Sequence, residues 1–162
     1  MNTEFPKKVA DNVTLFSPDP IVYVVDDFLS HDECQEFINC SQDKLQRATV
    51  VGLDKEQKLD SRTNKFAWLA HDSTEIIHEV SKRLSILVQV PIRNAEMFQV
   101  VHYESGTEYK PHFDSFDRST ELGKKYWEPG GQRMITALIY LNDVEDGGAT
   151  YFPELDVSIK PK

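Results

Sequence analysis

The chain has 162 residues, 40% of them apolar and 10% aromatic, which is enough for one domain with a buried core. Its 18 Lys and Arg against 27 Asp and Glu give a net charge of −9, which repels phosphate backbones and anionic membrane surfaces and speaks against a nucleic-acid partner. With only Cys34 and Cys40, no disulfide framework or CxxC metal site is available; no apolar run approaches the ~20 residues of a membrane span, the N-terminus lacks the apolar stretch of a signal peptide, and a soluble, cytoplasmic protein is the simplest reading.

Residues 1–20 carry three prolines and little periodicity, so they read as an arm before the strand IVYVVDDF at Ile21 to Phe28. Ser30 followed by Glu33 is a capping box, and Cys34, Phe37, Ile38, Ser41 and Leu45 fall on one helical stripe, which predicts a helix over about 31–46. The polar run GLDKEQKLDSRT, Gly52 to Thr63, reads as an exposed loop before the apolar run FAWLA. Asp72 with Glu75 repeats the cap signal, and Ile77, Val80, Leu84, Leu87 and Val88 predict a second helix over about 73–89 that Pro91 ends.

After Pro91 the apolar period changes from 3.6 to 2. AEMFQVVHY, YKPHFDSF, RMITALIYLN and GATYFP are short β-branched or aromatic runs separated by Gly-bearing turns, and they predict an antiparallel β-domain with the helices on one side.

The segment EYKPHFDSFD places His112 and Asp114 two residues apart. On a strand both side chains share one face with Cα atoms about 6.6 Å apart, a spacing that lets an imidazole and a carboxylate meet one ion. A second His and open positions would complete the two-His-one-carboxylate triad of non-haem iron oxygenases. The pair by itself is weak, and a solvent-facing strand with an ion-paired Asp is the commoner meaning of such a motif. In a hairpin turning at ESGT, with Tyr103 facing Glu108, Gln99 falls across from His112 and Met97 across from Asp114, while His102 lies on the other face.

AEMFQVVHYESGTEYKPHFDSFD followed by GGQRMITALIYLNDVEDGGATYFPEL resembles the catalytic domain of the prolyl 4-hydroxylases, within the 2-oxoglutarate and Fe(II)-dependent dioxygenases. YVVDDFLSHDEC and DSRTNKFAWL upstream extend the likeness over about residues 21–162. The resemblance implies an α+β domain over 21–162, a double-stranded β-helix, or jelly roll, with flanking N-terminal helices. It also implies oxidative decarboxylation of 2-oxoglutarate to succinate and CO2, coupled to hydroxylation by O2 of a prolyl residue in a proline-containing peptide, with ascorbate keeping the iron reduced.

Carried over residue by residue, His112 and Asp114 match two iron ligands, Tyr103 and Thr150 match contacts to 2-oxoglutarate, and Tyr140 resembles another. Arg133 matches an arginine associated with the peptide, and Arg62 with its loop would help to cover it. Apart from the resemblance, Tyr103 and Tyr140 read as core tyrosines, Thr150 as a strand residue after a Gly-Gly turn, and Arg133 as a surface cation.

Two departures from the family pattern stand out. The loop reads SRTN where the family has SRTS. The sequence reaches Lys162 before a distal His ligand and a basic partner for the far carboxylate of 2-oxoglutarate, and His31, His71 and His78 all precede Asp114. This predicts a jelly roll lacking its last strands, catalytically inactive as it stands, with open strand edges. Two alternatives stay open: an inactive fragment serving at most as a weak metal-binding or interaction module, and a metal-assisted hydrolase using the same His and Asp.

Overall fold

The first strands arise in the segment expected to be an arm. In the computed structural model, which describes residues 5–47, 50, 51, 56, 57 and 63–161, β1 (Lys7–Ala10), β2 (Val13–Pro18) and β3 (Ile21–Val25) form one antiparallel sheet in that order. The prolines hid this because they punctuate the strands rather than interrupt them: Pro18 closes β2 and Pro20 lies in the two-residue link to β3. Asp26 N–H donates to Asn12 O at 2.8 Å across the far end.

Helix α1 (His31–Gln42) starts where the capping box places it. Ser30 N–H donates to Glu33 Oε2 at 2.8 Å and Glu33 N–H to Ser30 Oγ at 3.2 Å, so two orphan donors satisfy each other's residues. The helix ends four residues before the expected limit, in a turn where Lys44 N–H donates to Ser41 O. Of the predicted stripe, Phe37 and Ser41 are buried.

Short pairs follow: β4 (Gln46–Arg47), then β5 (Val50–Val51) against β6 (Glu56–Gln57). Strand β7 (Lys65–Leu69) is the FAWLA run. Helix α2 (Glu75–Val88) comes next, then a 3-10 turn at Ile92–Asn94, and β8 (Phe98–His102). The ladder β4-β7-β8 is antiparallel, with Lys65 opposite His102 and Leu69 opposite Phe98. Alternation along β7 sends Ala67 and Leu69 inward at 2% and 1% exposure while Trp68 stays 42% exposed. Those two residues, with Phe37, Ile77 and Val80, are the buried apolar core among the described residues. Phe98 meets Phe37 edge to face, ring centroids 5.0 Å apart.

The second helix begins at Thr74 rather than at Asp72, because Thr74 Oγ1 is the group that accepts from Ile77 N–H, at 3.3 Å. At the other end Gln89 takes a left-handed conformation and Val90 N–H returns to Ser85 O, closing the helix before Pro91.

A third helix, α3 (Glu121–Gly130), has no counterpart in the sequence reading. Thr120 caps it, accepting from Gly123 N–H at 3.0 Å. Gly123 packs so closely on the preceding turn that a Cβ there would lie 1.9 Å from Asp117 O. Beyond it, β9 (Thr150–Phe152) and β10 (Val157–Ile159) form a hairpin.

Two expected strands are not realised. The segment 109–116 makes no ladder with β8, so Gln99 and Met97 do not stand across from His112 and Asp114. The turn at Glu104 to Thr107 does form, with Thr107 N–H donating to Glu104 O at 3.0 Å. After it, Thr63 captures the backbone of Glu108 from both sides, at 3.1 and 3.0 Å, and Pro111 has no N–H to give a ladder. The run 131–141 likewise carries no regular structure, and Met134 is 83% exposed.

The chain divides into two units, Met1–Cys34 with Tyr140–Lys162, and Gln35–Ile139. No helix among the described residues is long and apolar enough to cross a membrane.

If Thr74 is the cap, Thr74→Ala lowers unfolding free energy by about 1 kcal/mol, whereas Asp72→Ala changes it by less than about 0.5 kcal/mol. Urea denaturation of the two variants checks the assignment.

Candidate functional site

His112 and Asp114 lie past the Glu104–Thr107 turn, on a stretch without regular structure, and the fold still brings their side chains together. His112 Nε2 is 3.3 Å from Asp114 Oδ1, and the two side chains are 37% and 44% exposed. The other ring nitrogen, Nδ1, is 2.9 Å from Lys110 O. A carbonyl oxygen only accepts, so Nδ1 carries the hydrogen and Nε2 of the neutral ring presents its lone pair. In the neutral ring that lone pair faces a carboxylate oxygen, whereas in the protonated ring an Nε2–H faces it. A second proton or a cation resolves that contact, and an imidazole held by a backbone carbonyl is the usual form of a metal-ligating histidine. Tyr109 stacks on the same ring, centroids 3.6 Å apart, which fixes its plane.

Asp114 is held as firmly. Its Oδ2 accepts from Thr136 Oγ1 at 2.6 Å, and its backbone oxygen accepts from Arg133 Nη1 at 3.3 Å. Arg133 Nε and Nη2 also grip both carboxylate oxygens of Glu96, and the guanidinium lies over the Phe116 ring, 4.6 Å from its centroid. The Glu96 hydrogen bonds hold Arg133 protonated to higher pH than an ordinary arginine. Gln132 pairs with the backbone of Phe116 in both directions: Phe116 N–H donates to Gln132 Oε1 at 2.7 Å and Gln132 Nε2 donates to Phe116 O at 3.2 Å. Phe116 in turn stacks on Tyr126 of α3.

Tyr103, the residue after β8, is 47% exposed. It belongs to the same unit as His112, Asp114 and Arg133. Tyr140 and Thr150 belong to the other unit, where they meet directly. Tyr140 hydroxyl lies 2.8 Å from Thr150 Oγ1, donates to Ile159 O at 2.9 Å and accepts from Thr150 N–H at 3.1 Å. One donor and two lone pairs are thereby all engaged, with Thr150 supplying its hydroxyl proton. Arg62 lies outside the described residues.

Glu96, Gln132 and Thr136 were not singled out as site residues in the sequence. Their signal, if any, was position: Glu96 just before β8, and Gln132 and Thr136 within the run that also carries Arg133. Among the described residues no group of three or more His, Cys, Asp or Glu converges on a common point.

Residues 98–162 match the family model of the 2OG-Fe(II) oxygenase superfamily. Probable prolyl 4-hydroxylase 7 of Arabidopsis thaliana is 37% identical over 143 residues, 87% of this chain and 44% of the relative. Prolyl 4-hydroxylase 1 of the same plant is 41% identical over 138 residues, 83% of this chain and 47% of its own length. Over residues 98–162 the chain is similar to the 2OG-Fe(II) oxygenase superfamily, and over most of its length to prolyl 4-hydroxylases. A third relative, prolyl 4-hydroxylase 5, is 35% identical over 145 residues, 87% of this chain and 47% of the relative. The chain thus spans about half the length of the curated relatives it matches. The superfamily implies Fe(II), 2-oxoglutarate and a jelly-roll fold; the described residues form three α-helices and several antiparallel sheets.

Removing the Tyr140 hydroxyl leaves the Thr150 N–H and the Ile159 carbonyl short of a partner. Tyr140→Phe is expected to cost about 1 to 3 kcal/mol in urea unfolding and to speed hydrogen exchange at the Thr150 amide; unchanged exchange would show that the hydroxyl does not hold this hairpin.

Proposed function

We propose that this chain forms part of a 2-oxoglutarate- and Fe(II)-dependent dioxygenase that hydroxylates peptidyl proline with release of succinate and CO2. The observation that carries the reading is the contact of His112 Nε2 with Asp114 Oδ1 at 3.3 Å, with Nδ1 turned to Lys110 O. An imidazole nitrogen and a carboxylate oxygen side by side suit a divalent metal, and one imidazole with one carboxylate is two thirds of the donor set that non-haem Fe(II) uses. Bound there with 2-oxoglutarate, the metal supplies O2 activation and the attack on a C–H bond.

The chain's own residues bind and orient. His112 and Asp114 hold the metal, and Tyr109 fixes the imidazole plane from one side. Tyr103, Tyr140 and Thr150 are the proposed contacts to 2-oxoglutarate; at Tyr140 such a contact requires exchange with the partners it already has. Arg133 and Arg62 are the proposed contacts to peptide, and ascorbate is the proposed reductant.

The favoured substrate is a prolyl residue in an extended, proline-rich segment, whose polyproline II conformation is preformed and costs little entropy to bind. Support for that comes from relatives named prolyl 4-hydroxylases. In this reading residues 21–162 belong to one double-stranded β-helix domain with flanking helices, preceded by the strands of residues 1–20.

A protein carrying this chain, supplied with Fe(II), ascorbate, 2-oxoglutarate and a proline-rich peptide, is expected to form succinate, and His112→Ala or Asp114→Ala to bring it to background. Turnover like wild type in either variant overturns the metal assignment. Tyr103→Phe and Thr150→Val should each raise the 2-oxoglutarate concentration for half-maximal rate by a factor equivalent to about 1 kcal/mol. An unchanged requirement in both returns those hydroxyls to purely structural roles.

A further inference from the structure

Asp114 is fastened from one short run of chain on the far side of α3. Arg133 holds its carbonyl oxygen, Gln132 pairs with the backbone two residues on, and Thr136 donates to Oδ2 at 2.6 Å. The Arg133 anchor cannot swing freely, since Nε and Nη2 are committed to Glu96 and the guanidinium lies on Phe116. With the backbone of Asp114 fixed, the remaining freedom is rotation of the carboxyl group. A hydroxyl donating to one oxygen at 2.6 Å, in the range of charge-assisted bonds, removes much of that freedom and decides which oxygen is left over. The oxygen left over is Oδ1, the one that faces His112 Nε2.

Packing is not the reason Thr136 sits there. It is exposed, and its neighbours Met134 and Ile135 are 83% and 55% exposed, so it is no part of the buried core. We propose that Thr136 is a positioning residue that makes Asp114 a one-oxygen ligand, committing Oδ2 to a hydrogen bond and leaving Oδ1 to share a divalent cation with His112 Nε2. This rests on the reading of His112 and Asp114 as metal ligands.

The test is anaerobic titration of the chain with Co(II) alone, reading affinity by calorimetry and ligand geometry by the visible d–d absorption, for wild type, Thr136→Val, Thr136→Ser and His112→Ala. Thr136→Val keeps the shape and loses the donor; it should weaken Co(II) binding by at least about tenfold, the usual cost of losing an outer-shell partner, and shift the d–d bands. Thr136→Ser, which keeps the hydroxyl, should restore both. Thr136→Val binding Co(II) like wild type while His112→Ala loses it overturns the proposal and leaves the ligand assignment standing. A defect in Thr136→Val that Thr136→Ser fails to restore also overturns it, because the hydroxyl is then not the cause. Binding unchanged in His112→Ala, or no binding by wild type at millimolar Co(II), overturns the ligand assignment and the proposal with it.

Discussion

The antiparallel ladder between β7 and β8 is the constraint on which the rest of its unit depends. Its five-residue register, Lys65 with His102 through Leu69 with Phe98, turns Ala67 and Leu69 to the core and carries Phe98 onto Phe37. The same register fixes what lies at either end of β8. Before it stands Glu96, which grips Arg133; after it comes the Glu104 turn, which Lys65 ties down by an ion pair. His71 strengthens the first end, with Nε2 2.9 Å from Glu96 O and Nδ1 3.0 Å from the buried Ser81 hydroxyl. The segment carrying His112 and Asp114 is therefore irregular in itself but held at both margins by regular structure.

The chemistry of the pair follows from how backbone and side chains divide the labour. A carbonyl sets the His112 tautomer, an aromatic ring sets its plane, and a hydroxyl engages one oxygen of Asp114. Each partner is neutral, so the charge of the carboxylate stays available to a cation. Arg133 contacts the Asp114 backbone and spends its charge on Glu96 instead. A guanidinium bridging directly to the carboxylate would compete with a metal; the arrangement seen avoids that competition.

Much of the fold was legible because its signals are local. Ser30 and Glu33 announced α1 through a reciprocal cap, and the stripe of Ile77 and Val80 announced α2. Helix α3 was not legible: its apolar face is little more than Leu122, Tyr126 and Trp127, with Gly123 and Pro129 inside it, and it stands on the Thr120 cap and the tight Asp117 turn. The failed strands show the opposite error. Alternation in YKPHFDSF and RMITALIYLN marks a chain able to enter a sheet, but a strand is a relation between two segments, and periodicity names only one of them. For the site, spacing brought His112 and Asp114 forward and could not bring forward Thr136 or Glu96, whose meaning lies in contacts 22 and 37 residues away along the chain.

The Gln132 join carries a consequence of its own. A ladder such as β7 with β8 is written in peptide groups that every residue shares, so it survives exchange of side chains as long as the inward and outward pattern is kept. Between Phe116 and Gln132 a side-chain amide stands in for one of those peptide groups, offering the same acceptor and donor. That stretch of pairing is thereby spelled by the identity of one residue. It is a place where drift at a single codon can uncouple two parts of the chain while leaving the course of the backbone and the pattern of polarity almost as they were.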